Sequence, residues 1–367
     1  MKIPFVDLKT QYLSIKTDID HAIQSVIEDT AFIRGKYVTA FEKTYAEKYG
    51  IRNCISVANG TDAIYICLKA LGIGPGDEVI TVANSWISTS ETIAQAGARV
   101  VFVDIEPGYF TIDPSKIEEK ITKKTKAIIP VHLYGQPAEM DTISDICRRR
   151  NLHLIEDCAQ AHFAEYKGKR VGTFGTAGTF SFYPGKNLGA YGDAGAIITD
   201  DDDLAVRMKM FANHGALKKH SHEMEGINSR MDGLQAAILS VKLPFIDEWN
   251  RKRNANALIY NRLLKDTDVI TPVIRPYSFH IFHVYEIRAK KRDELKNFLH
   301  AEGVEPAIHY PTALPFMKAY SYLGHKPEDF PVAHQYQSEI LSLPMFPELT
   351  TQQIEYVAAK IKEFIAG

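Results

Sequence analysis

Residues 154–199 read LIEDCAQAHFAEYKGKRVGTFGTAGTFSFYPGKNLGAYGDAGAIIT, and the rest of the chain is best read outward from them. The apolar run His153-Leu154-Ile155 carries Glu156 and Asp157 to the end of a buried strand, and small residues and Gln160 follow. A carboxylate at the C-terminal end of a strand faces the ligand crevice of an open α/β sheet. Further on, Gly178-Thr179-Phe180-Ser181-Phe182 alternates like a second strand and runs into Tyr183-Pro184-Gly185-Lys186-Asn187, a turn too tight and polar for a core. Lys186 therefore stands at a strand exit, among glycines (Gly185, Gly189, Gly192, Gly195) that let the backbone approach something bulky.

An acid after one strand and a lysine after another are what pyridoxal phosphate needs. The amine forms a Schiff base with the aldehyde, and the acid pairs with the ring nitrogen. A pyridine nitrogen is only weakly basic, so the ring is a good electron sink only when something holds its proton. At about 4 Å and an effective dielectric of about 20, an opposite charge contributes up to about 4 kcal/mol before desolvation. About a third of that is already worth a pKa unit. Taken singly, Asp157 reads as a strand-end turn residue and Lys186 as a solvated loop cation. Their occurrence together favours the cofactor.

Composition points the same way. Charged residues make up 24% of the 367 and the net charge is −2, so there is no basic field for nucleic acid and no acidic tail. Small-molecule chemistry is expected. The four cysteines, Cys54, Cys67, Cys147 and Cys158, show neither C-x-x-C spacing nor a disulfide pattern, which suits free thiols in a reducing compartment. The opening MKIPFVDLKTQYLS has no apolar leader core, and no stretch approaches the roughly eighteen apolar residues of a membrane span. The reading is a cytoplasmic protein without membrane or nucleic-acid partners.

Strands at Val100–Val103, Ala127–Val131 and His153–Ile155 alternate with helical patterns at Pro114–Lys120 and Met140–Arg150, the signature of parallel β-α units in an α/β fold. Apolar residues from Lys9 to Glu28 recur at three and four, predicting one amphipathic helix. Cys54–Ala58 reads as a strand, and Asn59-Gly60-Thr61-Asp62 opens an apolar helix through Leu71. Free N–H groups there suit a phosphate; a plain N-cap by Asn59 or Thr61 is the other reading. Gly72–Asp77 is a turn that matches neither a dinucleotide fingerprint nor a P-loop, and Glu78–Val82 is the next strand. Asp200–Asp203 precede the apolar pattern Leu204–Phe211 and read as a helix start, not a metal site. His220 and His222 sit in a basic loop with no HExxH pattern or cysteine pair nearby, so no metal is expected.

A long helix from Leu243-Pro244 through Leu264 marks the passage to a smaller C-terminal domain, dividing the chain into residues 1–243 and 244–367. In the second part His283–Ile287 and Val304–Ile308 read as strands, and Arg292–His300 and Gln353–Ile365 as helices.

Four segments in order, NGTDA at 59–63, EDCAQAH at 156–162, SFYPGKNLGAYGDAGA at 181–196 and GINSRMDGLQAAIL at 226–239, resemble the PLP-dependent sugar-nucleotide aminotransferases of the DegT/StrS family. The resemblance covers nearly the whole chain. It implies fold type I: a mostly parallel central sheet flanked by helices, with a smaller α+β C-terminal domain. It implies Lys186 and Asp157 as catalytic residues, Gly60, Thr61 and Ser181 on the cofactor phosphate, and Gln160 on the ring hydroxyl. Trp86 would cover the pyridine face, a core tryptophan being the bland alternative. The segment around 228 would cross to a second subunit, with Asn228 on the neighbour's cofactor phosphate and Arg230 helping to hold a substrate carboxylate, so that the site requires a homodimer. Tyr183, His309 and Tyr310 are expected substrate contacts, with a structural hydrogen-bonding role the alternative for His309, and the loop residues Arg34 and Tyr37 are candidate substrate contacts. Arg34 and Lys36 depart from the family's usual loop and suit either a nucleotide diphosphate or solvent.

The implied reaction takes an amino group from L-glutamate and delivers it to a nucleotide-linked keto sugar. A lysine at 186, where related dehydratases carry histidine, favours amine transfer over deoxygenation. The segment at 181–196 is closer to branches acting at the third sugar carbon, with a 4-keto substrate as the alternative. Phe163 and Ala194 stand where glycine is commoner, and Phe163 is expected to reshape the pocket. Two readings from other classes remain at this stage: a sugar-nucleotide-binding regulator without turnover, and an NAD-dependent enzyme, which lacks its fingerprint here.

Overall fold

In the computed structural model, which describes residues 1–366, the β-branched runs assemble into one large sheet. Its strands are β1 (Asn53–Val57), β2 (Glu78–Val82), β3 (Arg99–Val103), β4 (Thr125–Ile129) and β5 (His153–Asp157). After a short hairpin of β6 (Glu165–Tyr166) and β7 (Lys169–Arg170) come β8 (Ala177–Ser181) and β9 (Gly195–Thr199). The order across the sheet is β1-β9-β8-β5-β4-β2-β3. Only β9 runs antiparallel to its neighbours, so β1, β2, β3, β4, β5 and β8 all end on the same edge. β2 and β9 are buried throughout, as a sheet covered on both faces requires.

The helices before and around the sheet are α1 (Leu8–Ser14), α2 (Lys16–Glu28), α3 (Lys36–Tyr49), α4 (Gly60–Ala70), α5 (Ser88–Gln95), α6 (Met140–Arg150), α7 (Asp202–Phe211) and α8 (Gly233–Lys242). Asn59, in extended backbone, caps α4 by accepting from Asp62 N at 2.8 Å. Asp201 caps α7 through Leu204 N at 2.8 Å, so the acids at 200–203 do serve a helix start.

Three expectations need correction. The single helix from Lys9 to Glu28 is two, because Ile15 leaves helical geometry and turns into the core. Pro114–Lys120 forms two short 3-10 turns, Pro114–Lys116 and Glu118–Lys120. Val304–Ile308 is not a strand: Pro306 supplies no N–H, and only isolated bridges form, from Val304 to Ile3 and from Ala307 to Ser342.

The C-terminal part holds α9 (Ile246–Leu264), β10 (Ser278–Phe279), β11 (Tyr285–Arg288), α10 (Arg292–Ala301), α11 (Pro331–Tyr336), β12 (Ile340–Leu343) and α12 (Thr351–Ala366). β11 and β12 pair antiparallel, and β10 joins the β6–β7 hairpin. We propose the domain boundary at 243/244, where the 3-10 turn Leu243–Phe245 separates α8 from α9. Packing crosses it twice. Ile3 lies in the C-terminal core with Tyr260, Tyr285 and Leu343, whereas Leu314, Tyr320 and Phe330 join the core of the large sheet. All four cysteines are buried and free. Among the described residues no helix is long and apolar enough to cross a membrane.

Candidate active site

The shared edge of the parallel strands opens onto a cavity of about 520 Å³. Asp157, the last residue of β5, and Lys186, in the turn after β8, both line it. Asp157 is buried, its Oδ2 accepting from Thr89 Oγ1 at 2.7 Å and its Oδ1 from Ala159 N at 3.1 Å. Burial nevertheless pushes its carboxyl above the ordinary range, against those two bonds and the charge of Lys186. Lys186 is held in its turn by its own N–H, which donates to Tyr183 O at 2.8 Å. Burial brings its ammonium down to about 8, with Asp157 opposing the fall. An acid and an amine, each destabilised in its charged form by burial, thus share one space. The acid suits a bound cationic ring nitrogen, and the amine is available as a nucleophile near neutral pH.

One end of the cavity is built for an anion. α4 begins there, with its free N–H groups and the positive end of its dipole. Gly60 is required by close packing: a Cβ on it would lie 2.6 Å from Ser181 Cβ, so only glycine lets the end of β8 reach the helix start. Gly60, Thr61 and Ser181 all line the cavity, and Thr61 Oγ1 shares a hydrogen bond of 2.7 Å with Ser88 Oγ.

Trp86 is 57% exposed and lines the same space, so it is no core tryptophan. Its ring lies 5.5 Å from that of Tyr310. Gln160 also faces the cavity, but its amide is already engaged: Oε1 accepts from Tyr134 N at 2.7 Å and Nε2 donates to Tyr310 Oη at 3.0 Å. A ring hydroxyl would have to use the second Nε2 hydrogen. Tyr183, His309 and Tyr310 complete the set of expected residues that the fold brings together here.

Four expected residues lie elsewhere. Tyr37 Oη donates to Asp29, which also pairs with Lys36 at 2.6 Å. Asn228 bridges Asn213, and Arg230 Nε is buried without a partner among the described residues. A bridge between Ile33 and Asp232 joins the two loops, bringing Arg34 beside Arg230. Burial lowers the Arg34 pKa, Glu42 opposes the shift, and the charge of Arg230 adds to it. Loops 31–37 and 226–232 therefore form one strip outside this chain's cavity. Phe163 does not touch the cavity either. It sits in an aromatic cluster, its ring 4.4 Å from that of Tyr49, at a φ of 61° that favours glycine. That backbone angle accounts for the position without any reshaping of the pocket.

Sequence reasoning passed over Thr89, which bonds Asp157, and Ser85, Ser88 and His283, which line the cavity. A signal was present: the hydroxyl-rich stretch Ser85–Thr92 follows a strand, and Ser85, Ser88, Thr89, Ser90 and Thr92 are all buried. So many buried hydroxyls need partners.

The donor set fits pyridoxal phosphate: an under-compensated acid for the ring nitrogen, a buried amine for the aldehyde, a helix start for the phosphate and an indole for one face. The model of the DegT/DnrJ/EryC1/StrS aminotransferase family matches residues 13–362, and the chain belongs to this family of pyridoxal phosphate-dependent sugar-nucleotide aminotransferases. A Geobacillus stearothermophilus protein described as a pleiotropic regulatory protein is 48% identical over 367 residues, covering 99% of each chain. The dTDP-3-amino-3,6-dideoxy-alpha-D-galactopyranose transaminase of Aneurinibacillus thermoaerophilus is 42% identical over 362 residues, again covering 99% of each. Among solved structures, S. venezuelae DesV in complex with a ketimine intermediate superposes with a TM-score of 0.97 at 38% identity, covering 100% of this chain and 99% of that one.

Proposed function

We propose that the chain aminates the third carbon of a nucleotide-linked 3-keto sugar, with L-glutamate as amino donor and with active sites shared across a homodimer. The observation that carries the chemistry is the opening of Asp157 and Lys186 into one cavity beside the start of α4. The 3-keto assignment is supported by the 42% identical relative, whose name specifies a 3-amino sugar.

In this reading Lys186 holds the cofactor aldehyde, and Asp157 keeps the ring nitrogen protonated. Gly60, Thr61 and Ser181 bind the phosphate, Gln160 the ring hydroxyl, and Trp86 covers one face. The cofactor supplies an electron sink for the carbon losing or gaining the amine. With the cofactor bound, the Lys186 amine would be the group placed to take and return the proton at the substrate carbon, since burial already disfavours its charged form. Tyr183, His309 and Tyr310 orient the sugar. Arg34, Tyr37, Asn228 and Arg230 serve the partner's cavity, Asn228 reaching its phosphate and Arg230 a substrate carboxylate. The exposed Phe32, Ile33 and Leu217, on or near the same strip, fit a covered surface.

A panel of 3-keto and 4-keto sugar nucleotides assayed with glutamate tests the substrate. Turnover of a 3-keto sugar nucleotide is expected. Turnover confined to 4-keto substrates overturns the regiochemistry. A monomer fully active in solution overturns the shared site.

A further inference from the structure

A hydrogen-bonded chain reaches the cavity from the C-terminal part. His309 lines the cavity, with its Nδ1 2.7 Å from Ser342 Oγ, and the same hydroxyl contacts Glu286 Oε2. Little of this can move. Glu286 and Ser342 are partners across β11 and β12, and Ala307 exchanges both backbone hydrogen bonds with Ser342, at 3.0 and 2.8 Å. The His309 ring stacks on Phe5 at 5.4 Å, and Tyr134 Oη donates to the His309 carbonyl. The ring orientation is set, and what remains open is the direction of the protons along the chain.

Two directions are possible. With an ionised Glu286, Ser342 donates to the carboxylate, His309 Nδ1–H donates to Ser342, and Nε2 is left bare. With a neutral Glu286, the acid donates to Ser342, the hydroxyl donates to Nδ1, and the imidazole proton sits on Nε2. Glu286 is only 1% exposed, and its Oε1 is buried without a hydrogen-bond partner among the described residues. A buried carboxylate with so little hydrogen bonding is costly, and such a group takes up a proton instead. Burial accordingly pushes its carboxyl well above the usual range, against the Ser342 bond and the charge of Arg292. The imidazole is neutral too: burial lowers it to about 4, helped by Lys186.

We propose that Glu286, held as a neutral acid, and Ser342 are positioning residues that fix His309 as the Nε2–H tautomer, presenting a hydrogen-bond donor to an acceptor oxygen of the sugar. The identity of that oxygen's owner rests on the sugar-nucleotide reading above; the tautomer does not. A donor at this place selects against a substrate that offers only a hydrogen there.

The tautomer is read directly by nitrogen NMR of the holoenzyme carrying 15N-labelled histidine, with His309→Gln used to assign the signal. A protonated Nε2 and a bare Nδ1 are expected, and the opposite pattern overturns the proposal. Kinetics add a second reading. Glu286→Gln, whose amide N–H replaces the acid O–H, keeps the KM for the keto sugar nucleotide within about twofold. Ser342→Ala and Glu286→Leu raise it about tenfold, the loss of one oriented hydrogen bond. In both, the cofactor absorbance and the half-reaction with glutamate are unchanged. Damage in Glu286→Gln equal to that in Glu286→Leu, an unchanged KM in Ser342→Ala, or equal loss in both half-reactions each overturns it. If the wild type turns over no sugar nucleotide at all, the sugar reading fails, while the NMR pattern still decides the tautomer.

Discussion

Glu156 and Asp157 are neighbours at the end of β5, both buried, and they meet opposite treatment. Glu156 is fully enclosed. Its Oε1 accepts from Phe174 N at 2.7 Å and Gly175 N at 3.0 Å, and its Oε2 from Gly172 N at 2.7 Å. His132 Nδ1 accepts from Ala138 N, which leaves its Nε2–H to donate to Glu156 Oε2 at 3.1 Å. Four donors fill the roughly four acceptor directions of a carboxylate. His132, Glu156 and Cys158 lie close enough together to hold a metal ion, but Glu156 has no lone pair left to offer one. Asp157 has two donors and a cavity. The difference teaches that burial does not by itself mark a chemical site. An acid whose acceptors are saturated by its own chain is scaffolding, whereas one left short of donors at a cavity wall has acceptor capacity to offer a ligand.

The largest effect expected on the open side of this comparison is that of Lys186→Arg, which abolishes turnover and the visible absorbance of the bound cofactor. A fully active variant breaks the assignment. Next comes a reciprocal pair. Asp157→Asn lowers kcat by a factor on the order of 10²–10³, typical for loss of one preorganised charge contact, with the melting temperature unchanged or raised because a desolvated charge is gone. Glu156→Gln behaves in reverse: kcat stays within a few-fold, and stability falls by about 1–3 kcal/mol for each buried donor left unpaired. Matching effects of the two substitutions in both assays would erase the distinction.

A pH experiment sharpens the same contrast. Lys186 titrates near 8 in the empty site, below the ordinary lysine value, so its neutral and nucleophilic fraction grows as pH rises and levels off above about 8. The rate at which apoenzyme takes up pyridoxal phosphate, followed by absorbance, should rise about tenfold per unit below that point and flatten beyond it. A profile still climbing steeply at pH 10 would place the amine in solvent.

Much of this was legible in the residues. Strand periodicity, the Asn59 and Asp201 caps and the two strand exits at Asp157 and Lys186 are local, and local patterns survive folding. What escaped the sequence was non-local. The saturation of Glu156 depends on a loop sixteen to nineteen residues further on, and the support of Asp157 by Thr89 spans 68 positions. The breaks at Ile15 and around Pro306 were missed because apolar spacing continues across both while the backbone does not. Arg34 was expected at the site from the charge of its own loop and Arg230 from resemblance; the fold sets them beside each other, and neither lines this chain's cavity.

Thr89→Val is the mildest way to probe the acid. It preserves shape, removes the hydroxyl that donates to Asp157 Oδ2, and leaves Ala159 N as the remaining donor. Since that bond opposes the upward push of burial, its loss raises the Asp157 pKa further, so that at a given pH more of the acid is neutral and unable to hold the proton of the ring nitrogen. The loss of kcat/KM should therefore be greatest at low pH, about tenfold as expected for a hydrogen bond to a charged group, and shrink as rising pH ionises the acid in both proteins. Asp157→Asn, which has no charge to recover, should stay depressed across the range. A pH-independent deficit in Thr89→Val would mean that the hydroxyl only holds α5 in place, and that Asp157 keeps its charge without it.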